Sequence, residues 1–270
     1  MVFADIGDTI TAKPADTLSL TVGGPEAGPL AQLGEDNLVL RAARALAAHY
    51  GVPAAAALTL DKRLPVASGI GGGSSDAAAT LRALAVLWRI GRRRFEGRRL
   101  DDIEAIALGL GADVPACLVA QPVWVGGIGE RLDFTARLPP LGIVLANPRR
   151  ELPTAAVFRA REGGFSKEAE RGDISRPETL FALLEQCRND LTDAAIGLEP
   201  EVAKVLDRLG KLPGTRLVRM SGSGATCFAL FADREAAALG AAALTEAEPG
   251  SWVRAGSLLT GLGTRPAANR

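Results

Sequence analysis

A cluster of glycines followed by serines is the part of this chain best suited to binding an anion. The stretch Pro65-Val-Ala-Ser-Gly-Ile-Gly-Gly-Gly-Ser-Ser holds four glycines, at positions 69, 71, 72 and 73. Glycines leave backbone N–H groups open to close approach by a bulky anion. A helix predicted to begin near Ser74 would add unpaired N–H groups and the positive end of its dipole. A strand, a glycine loop and a helix in this order predict a polyphosphate cradle.

The loop differs from two well-known nucleotide-binding motifs. A Walker loop requires a lysine directly after its last glycine, whereas Ser74 follows Gly73 here. The dinucleotide motif GxGxxG requires a glycine where this chain has Ser74. The structural alternative is a plain glycine-rich turn capped by serine.

Asp113 is the second candidate for chemistry. It lies in the stretch Gly111-Ala-Asp-Val-Pro, which is otherwise apolar and tightly turned. A carboxylate without partners is costly in such surroundings, so it either has partners or takes part in chemistry. The alternative is a surface aspartate in a turn.

A second glycine loop, Ser221-Gly-Ser-Gly-Ala-Thr-Cys-Phe, lies between two predicted strands. Alone it could be a bulge or a tight turn. Beside the first loop it becomes a candidate for a second backbone wall around phosphates.

The elements that must position these segments are predicted from hydrophobic spacing. Apolar residues at helical intervals predict a buried stripe on the helix after the first glycine loop; they are Ala77, Leu81, Leu84 and Trp88. An earlier helix is predicted to begin with Asp36 as its cap and to end at Gly51. Strands are expected at 9–12, 17–22, 58–62 and 142–146, with a hairpin at 122–134.

The texture of the sequence changes around Asn147-Pro148, which predicts a domain boundary near residue 148. Residues 149–178 are polar and rich in turn residues. The remainder is predicted to alternate helices (178–187, 199–209, 233–247) with strands (216–220, 227–232, 252–258). The tail, 261–270, is predicted to be frayed.

Composition excludes several classes of function. The chain has 270 residues, 47% of them hydrophobic, which is long for one core and comfortable for two. Its 31 basic and 31 acidic side chains balance, so net charge does not favour nucleic acid or an anionic membrane. The basic run at 92–99 is interpreted as an exposed connection between helices, with a phosphate or RNA site as the alternative. The three cysteines are widely spaced, which argues against a disulfide framework or a zinc site. The N-terminus is acidic and the sequence has no long apolar span, so the chain is expected to be soluble and cytoplasmic.

The three motifs together resemble the signatures of the GHMP kinase superfamily. They span Pro65–Ala78, Gly111–Pro115 and Ser221–Phe228, in the superfamily's order. The triple glycine and the Gly-Ala-Asp-Val-Pro box are similar to the branch that acts on a cytidyl-linked methylerythritol rather than on homoserine, galactose or mevalonate. The resemblance implies a two-domain α+β fold: an ATP-binding domain at 1–148, like domain 2 of ribosomal protein S5, and a ferredoxin-like domain at 149–270. ATP would lie in the cleft between them.

The resemblance also implies a reaction, the transfer of the ATP γ-phosphate to the 2-hydroxyl of the cytidyl-linked methylerythritol in non-mevalonate isoprenoid precursor biosynthesis. Asp113 would be the catalytic base, while Thr154 and Phe158 would bind the substrate, with Phe158 stacked on the cytosine. ATP would contact Asn37 near its adenine and the loop residues Pro65, Val66, Ala67, Ser68, Gly69, Ile70, Gly71, Gly72, Gly73, Ser74 and Ser75. ATP implies Mg²⁺, for which no protein ligand is assigned and Ser75 and Asp76 are no more than candidates.

The superfamily's usual opening has no counterpart in this sequence. That opening is a strand with a Lys and an Asn, followed by an Arg-x-Asp-Gly-Tyr-His turn, and Met1 aligns just after it. Lys62 lies near the glycine loop in sequence and could face nucleotide. We expect the native protein to start further upstream, so that the first domain here is missing its first strand. The alternatives are a truncated, non-catalytic ATP-binding remnant and another GHMP small-molecule kinase.

Overall fold

The computed structural model describes residues 1–28, 30, 34–90 and 101–261. The strands are β1 (Thr9–Lys13), β2 (Ser19–Gly23), β3 (Ala57–Asp61), β4 (Val123–Gly126), β5 (Arg131–Phe134), β6 (Gly142–Asn147), β7 (Leu217–Met220), β8 (Cys227–Phe231) and β9 (Trp252–Ser257). The helices are α1 (Leu38–Tyr50), α2 (Gly72–Leu87), α3 (Asp101–Leu110), α4 (Val114–Val119), α5 (Thr154–Ala160), α6 (Pro177–Gln186), α7 (Thr192–Leu198), α8 (Glu201–Lys211) and α9 (Arg234–Ala247).

The chain divides into two units. The first comprises Met1, Gly7–Val66 and Gly71–Asp133; the second comprises Val2–Ile6, Ala67–Ile70 and the chain from Phe134 onward. The middle of the first glycine loop thus belongs to the second unit. The domain boundary near residue 148 stays a prediction.

Three strands form the main sheet of the first unit, in the order β1-β3-β2. β3 runs antiparallel to β1 and parallel to β2, so α1 makes the crossover between the parallel pair. Along β3, Leu58 and Leu60 are each 1% exposed, and the intervening Thr59 is exposed. This period of two places one face of the central strand in the apolar core.

The start of α1 differs from the prediction by one residue. Asn37, rather than Asp36, is the N-cap, and its Oδ1 accepts a hydrogen bond from the Val39 N–H at 2.9 Å. Asp36 belongs to a short 3-10 turn, Gly34–Asp36. Asp and Asn are about equally favoured as N-cap residues, so residue type alone does not predict which of Asp36 and Asn37 caps the helix. The helix ends as predicted at Gly51, which has a left-handed φ of 62°.

α2 buries the stripe that its spacing predicts. Ala77, Leu81 and Leu84 are each 0% exposed. Trp88 is the C-cap residue, and its indole N–H donates to the carbonyl of Ala55 at 3.1 Å. The helix packs against α1, α4 and β1, so it is the central support of the first unit.

The second unit holds a four-stranded antiparallel sheet in the order β7-β8-β6-β9. Every position of β6 is buried, as expected for a central strand covered on both faces. α8 and α9 pack against this sheet. Two helices of this unit were not predicted: α5 lies in the segment interpreted as turn-rich, and α7 lies between two predicted helices.

Two further predictions concern residues outside the described ranges. They are the basic connection at 92–99 and the frayed tail beyond residue 261. Among the residues that the structure describes, no helix combines the length and the hydropathy that a membrane span requires.

Candidate active site

The N-terminus of α2 presents backbone donors that no side chain caps. Gly71 is the N-cap residue, with a φ of 71° and no side-chain capping hydrogen bond to the first turn. The Ser75 N–H donates to the Gly71 carbonyl, so the N–H groups of Gly72, Gly73 and Ser74 precede the first helical hydrogen bond. A helix of 16 residues also places the positive end of its dipole there. α2 begins at Gly72, slightly before the predicted start near Ser74. Its N-terminus therefore suits an anion such as a phosphate.

The carboxylate of Asp113 lies beside this helix end. A Cβ built on Gly71 would be 3.9 Å from Asp113 Oδ2. Asp113 directly precedes α4, and its side chain makes no capping hydrogen bond to that helix. The residue is exposed, so the prediction that it lies in a costly apolar environment is wrong. An exposed carboxylate next to an anion site can instead reach a hydroxyl of a bound ligand and accept its proton.

α4, which carries Asp113 at its start, is held by α2. The Arg82 guanidinium donates to the carbonyls of Cys117 and Leu118, at 2.8 and 3.1 Å. The Ser75 hydroxyl donates to Cys117 Sγ at 3.4 Å. Burial raises the pKa of the Cys117 thiol, which keeps it neutral as a weak acceptor. One helix thus sets both the exposed N–H groups and the position of the carboxylate.

The second glycine loop lies against the middle of the first, within the second unit. Ser221 Oγ donates to the Gly69 carbonyl at 3.0 Å, and the Thr226 N–H donates to the Ser68 carbonyl at 3.2 Å. A Cβ on Gly69 would lie 2.4 Å from the Gly224 carbonyl oxygen, closer than real contacts allow. These glycines therefore permit backbone-to-backbone contact between the loops. A phosphate-binding role for the second loop stays a prediction.

The predicted substrate residues lie on α5, and the predicted adenine residue caps α1. The hydroxyl of Thr154 is 2.8 Å from the hydroxyl of Ser223 in the second glycine loop. Phe158 is 55% exposed, so its ring is open to stacking by a ligand. Asn37 is buried with Oδ1 engaged in the cap, which leaves its amide nitrogen as the end that could reach a ligand.

A cavity of about 880 Å³ lies in the second unit, along α7. None of the predicted site residues lines it. Three of its polar residues are engaged: Arg188 pairs with Asp190 at 2.7 Å, and Asn189 Nδ2 donates to the carbonyls of Met220 and Gly222 at 3.0 and 2.8 Å. The Asn189 amide thereby ties the second glycine loop to the start of α7.

A buried ion cluster lies under the first turn of α2, and sequence reasoning missed it. Lys62 Nζ is 2.5 Å from Asp8 Oδ2 and 2.9 Å from Asp76 Oδ2. The side chains of Lys62, Asp8 and Asp76 are 3%, 1% and 6% exposed. The expectation that Lys62 could face nucleotide is therefore wrong, because its ammonium is enclosed between two carboxylates. The same pairing removes Asp76 as an open ligand for Mg²⁺, and the described residues include no group of three or more His, Cys, Asp or Glu able to hold a metal.

Stability should depend on pH through Asp76. Burial, assisted by the charge of Asp8 and opposed by Lys62, raises the pKa of Asp76 from 3.8 to about 6. Between those values the folded protein binds more protons than the unfolded chain, so the unfolding free energy falls as pH rises through the window. An Asp76→Asn variant cannot ionise. The unfolding free energy of the variant minus that of the wild type should therefore be larger at pH 7 than at pH 4, by on the order of 1–3 kcal/mol.

Urea unfolding of both proteins at pH 4 and pH 7 measures this gain. Titrating groups remote from Asp76 affect the two proteins equally, so their contributions cancel in the difference. A difference between the two proteins that stays constant with pH would contradict the raised pKa.

Two family models match the chain. The GHMP kinases N terminal domain matches residues 37–121, and the GHMP kinases C terminal model matches residues 166–250. The 4-diphosphocytidyl-2-C-methyl-D-erythritol kinase of Rhodospirillum rubrum is 47% identical over 271 residues, covering 99% of this chain and 86% of that protein. The kinase of the same name from Ruegeria pomeroyi is 48% identical, covering 96% of this chain and 89% of that protein.

Solved structures of related kinases share the fold of this chain. A crystal structure of 4-(cytidine 5'-diphospho)-2C-methyl-D-erythritol kinase matches with a TM-score of 0.74 at 34% identity, covering 94% of this chain and 87% of that one. Homoserine kinase from Cytophaga hutchinsonii matches with a TM-score of 0.72 at 18% identity, covering 96% and 89%, which shows a shared fold. The predicted two-domain α+β fold is confirmed. The chain belongs to the GHMP kinase family.

Proposed function

We propose that this chain transfers the γ-phosphate of ATP to the 2-hydroxyl of 4-diphosphocytidyl-2-C-methyl-D-erythritol, a step of non-mevalonate isoprenoid precursor biosynthesis. The observation that carries the proposal is the Asp113 carboxylate beside the uncapped N-terminus of α2. That arrangement offers donors for phosphate and an acceptor for a proton within one unit. The names of relatives that are 47% and 48% identical over nearly the whole chain support the choice of substrate.

Phosphoryl transfer asks the protein for positioning and charge stabilisation more than for covalent chemistry. The N–H groups of Gly72, Gly73 and Ser74, with the dipole of α2, would bind phosphate oxygens and stabilise negative charge in the transition state. Asp113 would accept the proton of the acceptor hydroxyl as that oxygen bonds to phosphorus. The bond from this phosphorus to the bridging oxygen of the β-phosphate then breaks, and ADP leaves.

A divalent cation would neutralise charge on the phosphates, and we propose Mg²⁺ for this role. Mg²⁺ keeps several of its waters and is bound by the substrate's phosphates, so it does not require a cage of protein ligands. Ser75 is the better candidate ligand of the two, because the carboxylate of Asp76 is paired with Lys62.

Replacing Phe158 by Ala is expected to raise the KM for the cytidyl substrate about tenfold, since stacking on a base is worth about 1–3 kcal/mol. The melting temperature and the KM for ATP should stay close to those of the wild type, because the ring is 55% exposed. Steady-state kinetics at saturating ATP measures the change. Phe165→Ala is a matched control, since Phe165 is a second exposed phenylalanine of the same unit. Equal KM increases in the two variants would contradict stacking at Phe158.

Another GHMP small-molecule kinase is the second candidate, because the homoserine kinase structure shares the fold almost as closely as the cytidyl one, with TM-scores of 0.72 and 0.74, although its sequence identity is lower, 18% against 34%. ADP release with ATP, Mg²⁺ and one acceptor at a time separates the two. The acceptors are the cytidyl-linked methylerythritol, homoserine, galactose and mevalonate. We expect a kcat/KM for the cytidyl substrate about a hundredfold or more above the others. Preference for an acceptor without cytidine would overturn the substrate assignment, and nucleotide binding without ADP release would identify a non-catalytic ATP-binding protein.

A further inference from the structure

The Lys62 cluster joins the two segments that border the first glycine loop. Asp8 receives the Lys62 ammonium on one oxygen; its other oxygen accepts the backbone N–H groups of Arg63 and Leu64, at 2.6 and 2.9 Å. Asp76, in the first turns of α2, receives the same ammonium at 2.9 Å. One lysine therefore connects the chain that leaves β3 to the helix end described above.

The cluster also lies directly against the backbone at that helix end. A Cβ built on Gly72 would be 3.3 Å from Lys62 Nζ and 3.4 Å from Leu64 Cδ1. Gly72 is buried, so the first turn of α2 rests on the lysine and on the segment that Asp8 holds. A shift of Lys62 or of its partners would move the N–H groups of this turn.

We propose that Lys62 is a positioning residue for ATP, which bridges Asp8 and Asp76 and thereby fixes the orientation of the phosphate-binding turn of α2. The inference rests on the proposed function, since it concerns how that site holds nucleotide. Lys62 acts through the backbone and not by contact with phosphate, because its ammonium is buried and paired with two carboxylates. A buried ion pair adds little net stability in general, whereas it can specify one arrangement of the groups around it.

Two substitutions at Asp76 separate the bridge from the charge. Asp76→Asn and Asp76→Leu remove the same negative charge and have similar volumes, but only Asn keeps an oxygen that accepts from Lys62. The measurement is titration calorimetry of ADP with Mg²⁺ into the full chain. We expect the Kd to rise about tenfold in Asp76→Leu and to stay within about threefold in Asp76→Asn. The KM for ATP should follow the Kd, with kcat within about threefold.

A second variant tests the lysine itself. Lys62→Met with Asp76→Asn removes one charge of each sign, so the cluster keeps its net charge and Asp8 keeps its two backbone donors. We expect this double variant to fold and to bind ADP about tenfold more weakly. Arg63→Met is the control: it removes the neighbouring cation, whose side chain is 64% exposed and paired with Asp61, and should leave the ADP Kd unchanged.

The outcomes are distinct. If both Asp76 variants and the folded double variant bind ADP like the wild type, the cluster is only structural and the inference is wrong. If affinity falls equally in Asp76→Asn and Asp76→Leu, charge rather than the bridge matters and the inference is again wrong. If the wild type itself does not bind ADP, the proposed function fails, and this inference fails with it.

Discussion

An Asp113→Asn variant is expected to lose activity by a factor of about 10²–10⁴ in kcat while binding ADP with an unchanged Kd. The factor is what a positioned general base contributes. Binding should survive because the donors for phosphate belong to the first turn of α2, and Asp113 makes no capping hydrogen bond that holds α4. ADP-release kinetics and calorimetry on the same preparation give both numbers.

A matched control is Asp16→Asn, which removes an exposed carboxylate from the turn between β1 and β2. It should have the kcat of the wild type. If Asp113→Asn keeps more than about a tenth of the wild-type kcat, Asp113 is not the base. If it loses kcat and ADP affinity together, the carboxylate shapes the nucleotide site instead of moving a proton.

A Gly69→Ala variant is expected to have a lower unfolding free energy and a lower affinity for ADP. Gly69 has a φ of 74°, and a Cβ there would lie 2.4 Å from the Gly224 carbonyl oxygen and 2.7 Å from the Gly224 nitrogen. Neither atom is the end of a flexible side chain, so the two glycine loops must separate. The strain of the left-handed conformation costs about 1 kcal/mol, and the clash adds roughly 1–3 kcal/mol. We expect a loss of about 2–4 kcal/mol in unfolding free energy, with weaker ADP binding.

Gly163→Ala isolates the backbone strain. Gly163 has nearly the same φ, 75°, but a Cβ there would meet no atom within 4 Å. This variant should lose only about 1 kcal/mol and bind ADP normally. Equal destabilisation of the two variants in urea would show that contact between the loops does not require a glycine at position 69.

The features that could be predicted from sequence are those with a local signal. The spacing of Ala77, Leu81 and Leu84 predicts one face of α2, and all three are fully buried. The same spacing predicts that a helix begins near Ser74, directly after the glycine loop, and α2 begins at Gly72. The strand predicted at 58–62 likewise corresponds to β3, Ala57–Asp61, in which the exposed Thr59 lies between the buried Leu58 and Leu60.

The features that could not be predicted depend on contacts across the chain. Asp8 and Lys62 are 54 residues apart, so no window of sequence shows their pairing. The exposure of Asp113 was missed because apolar neighbours indicate burial only on average, and here Val114 is buried while Asp113 is not. α5 and α7 are seven residues each, too short for a clear helical period.

The proposed function depends on one reaction, the transfer of the γ-phosphate of ATP to the 2-hydroxyl of the cytidyl-linked methylerythritol. The most direct measurement is ³¹P NMR of the reaction of the chain with ATP, Mg²⁺ and that substrate. We expect a new phosphomonoester signal without three-bond coupling to a proton, because C2 carries a methyl group and no hydrogen, together with an equal amount of ADP. ATP that stays intact while bound, or a phosphate that appears on another hydroxyl or as free inorganic phosphate, would contradict it.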